Sequence, residues 1–279
     1  MTGRGGLAAL LRAVVGVALA AILLGSVSPA PLAFRDMGVG DPPLVLIHAI
    51  GSDRSEWDAV AARLLSRHRI ITVDLPGHGA SRLGDGVRVA TVAEALNRTL
   101  EALAVRPAVL VGHSYGGLVA LAVAAEHPRR ALGVAVVDIP AYNPADSARI
   151  RDLDRFLREH YPVFLQAVFE RMSADSSGRE RILAQAFAVP ESVLTAYFQE
   201  AWRADLRPAV ARLRAPLLVV ATSALWPEGA PWDSVQAHLG YDEAPRAAGV
   251  RISGSGHFVP LDAPDSLAAA LARFAGTLR

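Results

Sequence analysis

The stretch Val109-Leu-Val-Gly-His-Ser-Tyr-Gly-Gly117 passes from a short, wholly apolar run into helically spaced apolar residues at 118–125, with Ser114 at the junction. Gly112, Ser114 and Gly116 give the pattern Gly-x-Ser-x-Gly. It fits a strand-to-helix turn so tight that a Cβ on either flanking residue would clash, leaving a strained serine whose Oγ projects at the helix N-terminus. Backbone N–H groups of the first helical turn would then face negative charge developing beside the serine. A glycine-rich turn with an incidental serine is the bland reading, and the strand before and helix after argue against it.

On either side, short apolar runs alternate with longer helix-like segments. This is the pattern of an α/β fold, a mostly parallel central sheet with helices on both faces. The parallel strands are predicted at 44–47, 70–73, 108–111, 133–137, 217–221 and 250–252, each nearly all apolar, as strands buried on both faces should be. Residues 92–103, 118–125 and 267–278 carry apolar residues at helical spacing, and Pro264 suits the first turn of the last helix. From 141 to 212 no strand-like run occurs. Amphipathic segments rich in Arg, Glu, Phe and Tyr fill it, punctuated by Pro162, Pro190, Pro208 and a polar break at 173–178. The expected division is a core of residues 31–140 and 213–279, with 141–212 as a helical cap over the sheet's carboxyl edge.

A chain of 279 residues, 52% of them hydrophobic, can bury one large core. A formal net charge of +1 gives no electrostatic reason to expect nucleic acid as a partner. Arginine supplies every cationic side chain and is read as solvated surface. The absence of cysteine excludes disulfides, a thiol nucleophile and thiolate metal sites.

At the N-terminus, Arg4 and Arg12 precede an apolar run at 13–24 that ends in small, turn-forming residues at 25–31. This is the layout of a secretory signal. The run is shorter than the ~20 residues of a spanning helix, but counting from Leu7 and tolerating Arg12 reaches that length. Pro31 after a cut at Ala30 would be a poor peptidase site, which keeps a retained anchor open. Residues 1–30 are thus expected to be a signal peptide or membrane anchor, placing the protein outside the cytoplasm, periplasmic or secreted, or at the membrane. A buried helix of the fold is the remaining reading, ranked last.

Three further segments join the serine turn in a resemblance to the α/β-hydrolase fold family, in its serine esterase-like branch. Leu46-Ile-His-Ala-Ile-Gly-Ser52 resembles that family's His-Gly loop, and Asp74-Leu-Pro-Gly-His-Gly-Ala-Ser81 its Asp-x-Pro-Gly-x-Gly-x-Ser loop. Gly256-His257-Phe258 resembles the segment bearing the catalytic histidine. The resemblance spans roughly 32–278, and it makes the serine turn a nucleophile elbow with Ser114 as nucleophile.

A serine hydroxyl needs a base to take its proton, and family order, serine then acid then histidine, selects His257 among the eight histidines. His48, His78 and His113 sit in family loops and resemble structural hydrogen-bonding residues, whereas His68, His127, His160 and His238 read as surface or helix-end residues. The resemblance builds the oxyanion hole from the backbone N–H groups of Tyr115 and Ile50. Ala49 stands where glycine is usual, a departure expected to alter the local backbone.

The acid is where the match stops. The family usually places an aspartate about four residues after the strand at 217–221, but the chain reads Thr222-Ser-Ala-Leu-Trp-Pro227 there. Some members take the acid from the end of the preceding strand, which puts Asp138 first. Its bland reading is a strand-end residue that only hydrogen-bonds the next turn. Glu228 and Asp233 are the alternative acids.

These readings imply hydrolysis of a carboxylic ester, or a lactone, through an acyl-enzyme, with no metal or cofactor required. A small hydrophobic ester is the expected partner, because Phe164, Phe169, Phe187, Tyr197, Phe198 and Trp202 populate the expected cap, although most should pack cap against core. A serine at the elbow argues against dehalogenase or epoxide hydrolase chemistry, which uses a carboxylate. Carbon–carbon hydrolysis, acyl transfer and cofactor-free haloperoxidation use the same triad and stay open. So does a non-catalytic ligand-binding protein of the same fold.

Overall fold

The computed structural model describes residues 31–278, so residues 1–30, expected to be a signal peptide or membrane anchor, lie outside the described residues. Within them, seven strands form one sheet: β1 (Phe34–Met37), β2 (Leu44–Ile47), β3 (Ile70–Val73), β4 (Ala108–His113), β5 (Ala131–Val137), β6 (Leu217–Thr222) and β7 (Ala247–Ile252). Their spatial order is β1-β3-β2-β4-β5-β6-β7, and all pairs are parallel except β1 with β3. The parallel strands fall where apolar runs predicted them. Edge strand β1 was not predicted, because Phe34, Arg35 and Asp36 are exposed and present no apolar run.

Side chains along each strand alternate between two cores. Val45 and Ile47 of β2 join one hydrophobic cluster, and Leu44 and Leu46 join the other. Helices α1 (Asp58–Leu64), α2 (Val89–Ala102) and α3 (Tyr115–Glu126) cover the first half of the sheet. Helix α3 is buried on nearly every side between β4, β5 and α2, so it is apolar all round rather than amphipathic. Its start lies directly against the sheet. A Cβ at Gly116 would run into the Ile47 carbonyl oxygen, and one at Gly112 into the Gly116 carbonyl. The glycines that flank Ser114 are therefore demanded by backbone contact.

Between β5 and β6 the chain forms only helices: α4 (Ser147–Glu159), α5 (Tyr161–Phe169), α6 (Ser176–Ala188), α7 (Glu191–Arg203) and α8 (Arg207–Ala211). Asp146 and Asp175 cap α4 and α6, each accepting a hydrogen bond from a backbone N–H three residues on. Phe164 and Phe198 meet edge to face at 5.1 Å between centroids with Trp202 beside them, while Phe169 reaches Phe258. Phe187 is 49% exposed and takes no part in this packing. The insertion docks near the carboxyl ends of the strands, where the Tyr197 hydroxyl donates to Pro76 O (2.9 Å) and Phe258 N–H to Met172 O (2.8 Å). After β6 come α9 (Trp232–His238), α10 (Val259–Asp262) and α11 (Pro264–Gly276), with Pro264 at the first position of α11. Among the described residues no helix is long and apolar enough to cross a membrane.

Candidate active site

Strand register sets the centre of the site. His113 and Val137 end β4 and β5 as a Cα pair, and the next residues, Ser114 and Asp138, both adopt positive φ, 52° and 51°. Such non-glycine backbone costs on the order of 1–3 kcal/mol per residue and persists only where neighbours hold it. Here the ladder holds it: Ser114 N–H donates to Val137 O (2.9 Å) and Asp138 N–H to Val220 O (2.8 Å). The two side chains therefore leave neighbouring strands at the same level.

His257 follows β7 in a loop and donates through Nδ1 to Asp138 Oδ2 at 2.8 Å. The other carboxylate oxygen, Oδ1, accepts Thr222 N–H at 2.8 Å. Burial pushes the Asp138 carboxyl up, but the His257 hydrogen bond and charge, with the Thr222 N–H, outweigh it and hold the group below its usual range. In its neutral form, with the proton on Nδ1, the His257 ring presents a lone pair at Nε2. Among the described residues neither that nitrogen nor Ser114 Oγ is engaged by another protein group. The Ser114–His257 bond is open in this state, and contacts of this kind commonly tighten only around a substrate.

Of the alternative acids, Glu228 is exposed in the loop after β6 and Asp233 is exposed at the start of α9. The carboxylate brought to His257 is that of Asp138.

The 48–52 loop is pinned by two histidines. His48 donates from Nδ1 to Ala49 O (2.7 Å) and accepts Leu75 N–H at Nε2 (2.9 Å). His78 accepts Gly51 N–H at Nε2 (3.1 Å) and donates from Nδ1 to Pro76 O (3.2 Å). Because each accepts at Nε2, both rings are neutral, and burial lowers both, with His78 held down at about 3. Ala49 lies outside the left-handed region, so its lack of glycine's freedom costs the backbone nothing there. Among the described residues neither Ile50 N–H nor Tyr115 N–H, the first of α3, has a protein acceptor. These are the two donors expected for an oxyanion.

Two carboxylates that the sequence did not single out border the site. Asp262 accepts Gly256 N–H (2.8 Å), Ala174 N–H (2.9 Å) and the Ser173 hydroxyl (2.6 Å), tying the His257 loop to the insertion. Glu56, fully buried, meets His113 Nδ1 at 2.8 Å. Only a fold that closes these loops on one another reveals either role, because neither residue lies in a recognisable motif. His68, read as a surface or helix-end residue, is buried, with Nδ1 2.9 Å from Pro42 O.

A cavity of about 450 Å³ beside the 48–52 loop is lined by Ser52, Asp53, Gln185, Val189 and Val193 among others. Neither it nor a larger cleft of about 690 Å³, lined by residues including Leu32, Arg82, Leu83 and Arg98, is lined by any of the candidate site residues. Among the described residues no group of three or more His, Cys, Asp or Glu side chains could hold a metal ion.

The profile of the Alpha/beta hydrolase family matches residues 44–270. The chain belongs to the α/β-hydrolase family. Among the relatives of this α/β-hydrolase is the pimeloyl-[acyl-carrier protein] methyl ester esterase of Edwardsiella ictaluri, 31% identical over 205 residues, 67% of this chain and 76% of that one. A thermophilic esterase from Thermogutta terrifontis superposes with a TM-score of 0.74 at 27% identity, over 88% of this chain and 93% of its own. The dihydrolipoyllysine-residue acetyltransferase component of the acetoin cleaving system of Pseudomonas putida is 36% identical over 104 residues, 36% of this chain. This α/β-hydrolase spans only 27% of that relative's length. Family and neighbours together support an enzyme of hydrolase type.

Proposed function

We propose that this α/β-hydrolase cleaves a carboxylic ester through an acyl-enzyme, with Ser114 as nucleophile, His257 as base and Asp138 as acid. The observation that carries the reading is the 2.8 Å bond between His257 Nδ1 and Asp138 Oδ2, made at the level where Ser114 leaves the neighbouring strand. Ser114 Oγ attacks the acyl carbon while its proton passes to His257 Nε2. Ile50 N–H and Tyr115 N–H hold the negative charge that forms on the carbonyl oxygen. The imidazolium, stabilised by Asp138, returns the proton to the departing alcohol oxygen and leaves Ser114 acylated. Water, deprotonated by the same histidine, then releases the acid and restores the serine.

A hydrophobic substrate agrees with the apolar side chains Val189, Pro190 and Val193 that the insertion contributes to the cavity bordered by Ser52 and Asp53. Lactones fall within the same chemistry.

The test is turnover of p-nitrophenyl esters of graded acyl length, with labelling by a fluorophosphonate probe. Ser114→Ala should abolish both, a loss of about 10⁴-fold or more in kcat, while its circular dichroism stays that of the parent. Labelling retained in that variant places the nucleophile elsewhere. Binding of the esters without turnover or labelling in the parent points instead to a ligand-binding protein.

A further inference from the structure

Glu56 is a wholly buried ionisable group that the proposed chemistry does not use. It sits in the 3₁₀ turn Arg54–Trp57, whose start is fixed by the Asp53 cap and by Arg54 N–H donating to Asp74 (2.8 Å). Its Oε2 accepts Ala49 N–H at 3.2 Å, and its Oε1 lies 2.8 Å from His113 Nδ1. The far side of the same ring places Nε2 2.8 Å from the backbone carbonyl oxygen of His257. A carbonyl only accepts, so Nε2 carries a hydrogen. One further proton lies between Nδ1 and Oε1, and whichever atom holds it, the pair is neutral overall.

Each anchor point of this chain of hydrogen bonds adjoins or belongs to a group that the proposed reaction uses. Ala49 precedes Ile50, His113 precedes Ser114, and the third anchor is the peptide carbonyl of His257 itself. A buried charged pair is weak support for stability, since well-packed apolar residues often do as well. Its value lies in fixing one arrangement.

We propose that Glu56 and His113 are positioning residues that lock the oxyanion loop, the nucleophile turn and the base's loop into a single geometry. The inference rests on the reading of Ser114, His257 and Ile50 given above. Glutamine at position 56 can serve both neighbours at once, its oxygen accepting Ala49 N–H and its amide donating to Nδ1 of a neutral His113. Alanine serves neither. Asparagine at position 113 can still reach Glu56 but falls short of the His257 carbonyl, so it cuts only the link to the base.

The experiment compares Glu56→Ala, Glu56→Gln and His113→Asn with the parent, by kcat and KM on the best ester and by amide hydrogen exchange at residues 48–52 and 255–258. Glu56→Ala should lower kcat by about 10- to 10²-fold with little change in KM, the scale expected from misplacing groups by about an ångström. It should speed exchange in both segments while the sheet keeps its protection. Glu56→Gln should recover most of the lost rate and protection, and His113→Asn should loosen 255–258 but not 48–52. Should Glu56→Ala not fold, His113→Asn and Glu56→Gln carry the test. Parent-like kcat and exchange in Glu56→Ala or His113→Asn overturns the proposal, as does a Glu56→Gln as slow and as loose as the alanine variant. Exchange reads the lock even if the parent turns over no ester, so failure of the ester reading is distinguishable from failure of the lock.

Discussion

Asp138 shows how far single residues can be read without a fold. Ser114 and His257 stand out because short motifs surround them, whereas the acid is ranked only by strand topology, Asp138 first with Glu228 and Asp233 as alternatives. Register separates them, since β5 ends level with β4 and its next side chain meets His257 while the other two stay in solvent. Asp138→Asn should therefore lower kcat strongly, toward the ~10⁴-fold known for the equivalent change in a serine protease, because the amide favours the wrong imidazole tautomer. Glu228→Gln and Asp233→Asn should stay within about 3-fold of the parent, the range of small indirect effects. Steady-state kinetics of the three variants decides. A near-normal Asp138→Asn beside a crippled loop variant would move the acid to the far side of β6. Full activity in all three would leave a Ser114–His257 dyad.

Elements were legible where burial is two-sided. The parallel strands announce themselves as apolar runs, but β1 and the short helix α1 do not, since one is an exposed edge and the other too brief for clear periodicity. The sequence marked His48 and His78 as structural hydrogen-bonding residues; the fold adds that both pin the 48–52 loop, each accepting an N–H bond in neutral form. That device has a pH signature. Folded His78 takes a proton only near pH 3, whereas an unfolded histidine does so near its ordinary 6.5. Between those values the unfolded state binds more protons, so stability falls as pH drops through the window and is unaffected by this group above it. The slope is about 1.4 kcal/mol per pH unit for one such histidine. Urea unfolding from about pH 7 to about pH 4.5 should show His78→Gln, less stable at neutrality, closing on the parent as pH falls. Parallel stability curves would remove His78 as the titrating group.

For the molecule as a whole, the N-terminal run is proposed to direct the chain to the cell envelope, as a cleaved signal or a retained anchor. Leu32 N–H donates to Thr99 Oγ1 and Ala33 N–H to Ser81 Oγ, so the first described residues are already stitched to the fold. A shortened chain starting at Leu32 should accordingly be soluble and as active as the parent in the cytoplasm of a bacterial host, while the full chain fractionates with envelope or medium. An insoluble, unfolded shortened chain would make the run part of the fold.

The attachment of the His257 loop to residues 172–174, through Met172 O and the Asp262 carboxylate, bears on how this enzyme's selectivity can be changed. The helical insertion looks like an interchangeable module, since it leaves after one strand and returns before the next. It is not one if the proposed mechanism holds, because the insertion that would border the substrate also holds the loop bearing His257, through Met172 O and the Asp262 carboxylate. A graft from a relative that omits 172–174 would alter substrate range and blunt the chemistry together, whereas a graft that keeps those residues should let recognition evolve by itself.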